Sequence, residues 1–124
     1  MTNEPADLKT NLIPYLNEIF ARKAEHVAAI DVRQLTSYTD AIIVVTASSS
    51  RQASAIAENI HINMKKAGIM PLGIEGMQEG TWALLDYGDV IIHIFNRETR
   101  DFYNIEGLWS DAPRVDISDY NEEE

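Results

Sequence analysis

Residues 90–95, "VIIHIF", carry apolar side chains on both sides of a strand, and this stretch constrains the fold more than any other. Successive strand residues point to opposite faces, so Val90, Ile92 and Ile94 share one face and Ile91, His93 and Phe95 the other. A strand with two apolar faces is placed centrally in its sheet. "VAAIDVR" at 27–33 and "AIIVVTA" at 41–47 are also short and rich in β-branched residues, with the polar "QLTSYTD" between them. They read as two further strands.

Helical spacing governs two other segments. Leu8, Leu12, Tyr15, Leu16, Ile19 and Phe20 form one stripe, which predicts a helix over about 12–24, with Asn11 as its cap and Pro14 in a first turn that loses no hydrogen bond. Ala53, Ile56, Ala57, Ile60, Met64 and Ala67 form the second stripe. Ser49 with Gln52 has capping-box spacing, and Gly68 supplies the stop. "PLGIEG" predicts a short strand, Trp82–Leu85 another, and a last helix runs from near Arg97 to Gly107. The order helix, strand, strand, helix, three strands, helix predicts a single α/β (α+β) domain with a mixed sheet of about five strands packed by helices. Residues 1–113 form that domain in this reading. Residues 114–124 are acidic, poor in core formers and expected to be a mobile tail.

Charge narrows the classes of partner. Twenty acids against ten Lys and Arg give a formal charge of −10 in 124 residues, with no Cys. Phosphate backbones are bound by neutralising them with Lys and Arg, so little direct nucleic-acid contact is expected and a basic protein partner is favoured. Acidity as a source of solubility alone stays open. No apolar run approaches the ~20 residues that span a bilayer. "MTNEPADLKTN" resembles neither a secretory signal nor a transit peptide, which points to the cytoplasm.

Between the last two strand runs stands "DYGD", Asp86 to Asp89. It suits a tight hairpin, with Gly88 free to take positive φ and the acids accepting backbone hydrogen bonds. Asp86 and Asp89 with His93 could instead hold a metal, but spacings of three and four do not by themselves converge three ligands. His93 reads either as a core histidine with one hydrogen bond or as a functional group, and Trp82 either as core or as an interface anchor. "ASSSRQ" is a phosphate-like approach to a helix N-terminus, outweighed by its plain capping pattern.

The stretches "SYTDAIIVVTASSSRQASAIAENI", "PLGIEG" and "WALLDYGDVIIHIFNRETRDFYNIEGLW" closely resemble the ribosomal silencing factor, or Iojap, family. The residues that carry the likeness are Ser37, Thr39, Asp40, Ser50, Arg51, Glu75, Gly76, Trp82, Asp86, Gly88, Asp89, His93, Arg100, Tyr103, Leu108 and Trp109. The resemblance spans roughly residues 8–110. It implies a small domain with a nucleotidyltransferase-like sheet, no cofactor or metal and no established catalysis. It further implies a translational repressor that binds the large ribosomal subunit through its uL14-type protein and blocks joining with the small subunit when nutrients are scarce. On this resemblance Trp82 and Tyr87 supply apolar contact, Asp86 and Asp89 pair with basic residues of the partner, His93 lies beside them, and Gly88 permits the turn. Arg100 and Tyr103 are second-line contacts. Ala47 and Ser48 stand where many members have Gly-Thr, and the acidic tail has no family motif. Two alternatives remain open: a divergent nucleotidyltransferase-like enzyme using Asp86 and Asp89, and a module that forms a homodimer with no ribosome role.

Overall fold

The two β-branched runs lie side by side and in parallel, with Ile43 opposite Ile92 and Val44 opposite His93. In the computed structural model, which describes residues 6–120, the chain runs α1 (Ala6–Phe20), β1 (Glu25–Asp31), β2 (Ala41–Ala47), α2 (Ser50–Lys66) and β3 (Gly73–Glu75). It continues through β4 (Trp82–Asp86), β5 (Val90–Asn96), α3 (Arg97–Tyr103) and α4 (Ile105–Leu108). The sheet order is β1-β2-β5-β4-β3, and every pairing except β2 with β5 is antiparallel. The expected α/β (α+β) domain with its mixed sheet is therefore observed, and β5 occupies the centre. No helix among the described residues is long and apolar enough to cross a membrane.

Two apolar layers sandwich the sheet. Ile43, Val45, Leu85, Ile92 and Ile94 pack against Leu12, Leu16 and Ile19 of α1 and Ile56 and Ile60 of α2. On the opposite face Ile30, Val32, Ile42, Val44, Phe95 and Ala112 form a second cluster, flanked by Trp82, Ile105 and Trp109. The α2 caps are as the sequence indicates: Ser49 Oγ accepts from the Gln52 N–H, and Gly68 at φ +86 follows the last turn. Gln52 does not return the bond to Ser49; its side-chain amide donates to the Arg22 carbonyl and ties α2 to the end of α1.

Several boundaries differ from expectation: the first strand spans Glu25–Asp31 where the sequence predicts 27–33, and the first helix ends at Phe20 where it predicts about 24. The first helix spans Ala6–Phe20 with Pro14 inside it, so neither the start near residue 12 nor the Asn11 cap is observed. Burying Leu8, Leu12, Tyr15, Leu16 and Ile19, at ~1.5–3 kcal/mol each, outweighs the ~3 kcal/mol cost of an internal proline, and Pro14 sits on the exposed flank. The last helix is split at Asn104, which takes φ +47 and closes α3, while its side chain accepts from the Gly107 N–H to open α4. The segment expected as a free tail after residue 113 is docked through residue 120. Arg114 bridges to Ile30, Ile117 is buried in the core, and Tyr120 stacks on Phe20 at 5.0 Å and donates to Asn17. Apolar Val115 and Ile117 and a row of backbone hydrogen bonds to β1 outweigh the acidic composition. Residues 121–124 of that expected tail lie outside the described residues.

Candidate functional site

Burial alternates along β4. Ala83 and Leu85 are buried against α2, whereas Trp82, Leu84 and Asp86 are half-exposed on the other face. Register pairs Trp82 with Phe95, Leu84 with His93 and Asp86 with Ile91, so the half-exposed side chains stand beside the central strand. Aromatic rings gather there. The Trp82 ring centroid lies 4.3 Å from Tyr103, 5.2 Å from Phe95 and 5.8 Å from His93. His93 stacks on Phe95 at 6.1 Å and is 8% exposed. Its Nδ1 accepts the indole N–H of Trp82 at 3.0 Å. Burial pushes its pKa down to about 4, so the ring is neutral at physiological pH.

The rim of this face comes from α3 and α4, and Arg100 fixes their position. Its side chain, 11% exposed, reaches inward from α3. Nε and Nη2 grip the Glu106 carboxylate of α4 in a fork, at 3.0 and 2.6 Å. Nη1 donates to Thr46 of β2 and to the carbonyl of His26. The same guanidinium holds the Glu106 carboxyl below the usual carboxylate range. Held in this way, α3 and α4 leave Tyr103 45%, Phe102 80% and Leu108 75% exposed.

At the hairpin, Gly88 has φ +91 and its N–H bonds to Asp86 Oδ1 at 2.9 Å. A side chain there would be strained. Asp89 is exposed, and its carbonyl accepts from the N–H groups of Asp40 and Ala41. Among the described residues no three His, Asp or Glu side chains gather to hold a metal. A hollow of about 390 Å³ opens elsewhere, lined by His26, Thr46, Arg97, Arg100 and Asp101. Its two guanidiniums are already paired, Arg97 with Glu25 and Arg100 with Glu106.

An aromatic face with an acidic hairpin beside it thus stands on the side of the sheet away from α1 and α2. A family model described as "Ribosomal silencing factor during starvation" matches residues 5–124. The chain belongs to this family. A ribosomal silencing factor from Halalkalibacterium halodurans is 33% identical over 102 residues, which cover 82% of this chain and 87% of that protein. One from Haemophilus influenzae is 39% identical over 100 residues, 80% of this chain and 98% of its own. A crystallised protein from Chromobacterium violaceum has a TM-score of 0.77 at 32% identity, covering 87% of this chain and 88% of that one.

For this silencing-factor domain the structure sorts the site residues expected from sequence. Trp82, His93 and Tyr103 are brought together on one face, with Asp86 on the same face and Asp89 at the hairpin tip. Tyr87 is a correction: it is 8% exposed on the α1 side, its ring 5.1 Å from Tyr15, and so supplies core packing and no docking contact. Two-residue alternation across the turn sends it opposite to Asp86. Arg100 is a second correction, because all its contacts are internal and it serves as the strut of α3 and α4. Phe102 was absent from the expected site. It is exposed in the last turn of α3 with its ring 5.0 Å from Tyr103, just before the break at Asn104 that helical periodicity alone does not signal.

Proposed function

We propose that this chain represses translation by docking its Trp82, His93 and Tyr103 face onto the uL14-type protein of the large ribosomal subunit, thereby excluding the small subunit. Membership of the ribosomal silencing factor family supports a role in ribosome silencing. The finer reading rests on one observation: Phe102, Tyr103 and Leu108 are exposed on α3 and α4, and Tyr103 lies 4.3 Å from the half-exposed Trp82. Large exposed apolar patches mark interaction surfaces, and buried aromatic anchors usually carry most of an interface's energy. Acids at Asp86 and Asp89 favour a basic protein surface, and a charge of −10 disfavours rRNA around it. Steric exclusion then needs no catalysis, so the protein acts as a regulator and not as an enzyme. In this reading it works in the cytoplasm, and self-association through the same face competes with docking.

Cosedimentation with isolated large subunits, followed by addition of small subunits, tests the reading. Wild type pellets with the large particle and reduces joined ribosomes, whereas folded Trp82→Ala and Tyr103→Ala variants lose both effects. Wild type that stays in the supernatant at physiological salt overturns it.

A further inference from the structure

The hydrogen bond between Trp82 and His93 fixes which proton the docking face presents. An indole N–H only donates, so the His93 Nδ1 that it reaches at 3.0 Å carries no proton. A neutral imidazole has one N–H, and here it is on Nε2. Among the described residues no group accepts that N–H. Nε2 is also not among the fully buried atoms that lack a partner, so it keeps access to the surface through the 8% of His93 that remains exposed. The ring cannot turn freely, because Phe95 stacks on it with planes 5° apart, Trp82 lies against it, and Leu84 and Val44 are its register neighbours on either side. With its own N–H spent on His93, Trp82 offers a partner ring surface alone.

We propose that His93 is the specificity-determining residue of the docking face, held by Trp82 as an oriented Nε2–H donor that requires a carbonyl oxygen on the partner. This rests on the docking reading above. A Lys or Arg placed there meets donor against donor and leaves the Nε2–H without an acceptor, whatever its charge gains from the acids nearby. A carboxylate is disfavoured by the protein's own charge of −10 and by Asp86, two register pairs along and on the same face. A carbonyl oxygen satisfies the donor without adding charge. Mismatch leaves a polar group unpaired inside an apolar contact, which is worth about a ten- to hundredfold change in affinity. Trp82 is thus both a contact and a positioning residue.

Two measurements test the inference. Long-range ¹⁵N–¹H correlation on the free wild-type protein at pH 7 reads the tautomer directly, and the Nε2–H form is expected; an Nδ1–H or charged ring overturns the proposal whether or not any variant folds. In Trp82→Phe the two neutral tautomers are expected to mix. Affinity for large subunits is then compared among wild type, His93→Phe and His93→Gln, each checked for folding by near-ultraviolet circular dichroism. His93→Phe keeps a ring and loses the donor, so its affinity is expected to fall about ten- to hundredfold. His93→Gln places an amide N–H near the same point and is expected to recover most of the loss. Wild-type affinity in a folded His93→Phe overturns this inference and leaves docking intact, whereas failure of wild type to bind overturns both.

Discussion

Trp82 and His93 are diagonal neighbours on β4 and β5, and the indole N–H of one donates to Nδ1 of the other at 3.0 Å. The pair joins the fold to its pH response. Burial holds the His93 pKa down at about 4 in the folded protein, while an unfolded chain protonates histidine near 6.5. Between those values the unfolded chain binds more protons, so stability is full above about pH 6.5 and falls as pH drops toward 4. The fall amounts to about 3 kcal/mol at most. Urea unfolding at pH 7, 6 and 5 is expected to show it in wild type and to show most of it removed in His93→Phe. Glu106 and Asp31, whose carboxyls Arg100 and Arg33 hold low, weaken the fold at more acidic pH and leave that window to the histidine.

Arg100 is a strut, and its removal has a stability cost. Truncation leaves Glu106, Thr46 and the His26 carbonyl without their shared partner. Breaking such a shielded pair from one side costs about 3 kcal/mol, or roughly 10 °C in Tm for a domain of this size. Arg100→Lys recovers only part of this, because an ammonium cannot reproduce the fork. Calorimetry of both variants provides the check.

Tyr87 separates core from docking surface. Its hydroxyl is buried with no partner among the described residues, and burial pushes its pKa up to about 12. Tyr87→Phe removes an unpaired polar group and is expected to leave stability unchanged or raise it by up to ~1 kcal/mol, with ribosome binding intact. Tyr87→Ala is expected to cost ~3–4 kcal/mol through the cavity left beside Tyr15. Loss of binding in a stable Tyr87→Phe would return this residue to the interface.

The docked C-terminal segment closes one edge of the sheet. The Asp31 N–H donates to the Pro113 carbonyl and the Val115 N–H to the Ala29 carbonyl. Truncation after residue 112 is expected to expose that edge, lower stability by about 2–4 kcal/mol through loss of buried Ile117 and the Tyr120 stack, and accelerate exchange of the Asp31 amide. Unchanged Asp31 exchange would mean that the segment does not guard β1.

Legibility in the sequence followed the density of local signal. β2 and β5 were readable almost to the residue because β-branched runs end abruptly in polar residues, and α2 because Ser49 and Gly68 mark both ends. α1 begins and ends earlier than its sequence predicts, because Pro14 is a strong local breaker that moves the expected start to residue 12, whereas the apolar stripe that overrides it gains its energy only from distant strands. The docked segment 113–120 was hidden for the same reason: its partners, Ala29, Ile30 and Asp31, are far away in sequence. In the site, Trp82, His93 and Tyr103 were named but not their mutual contacts. Tyr87 and Arg100 were misplaced because a polar or aromatic residue near a hairpin gives no local sign of which face it takes.

In the proposed complex the aromatic face with its acidic hairpin, and no other surface, meets the ribosomal protein. Backbone amide shifts of labelled protein titrated with a purified uL14-type protein test it most directly. Perturbations are expected at residues 82–86, at Asp89, and at 91–95 and 97–109, with α1 and the outer side of α2 silent. Perturbations centred on α1 and α2, or none at saturating partner concentration, would contradict it.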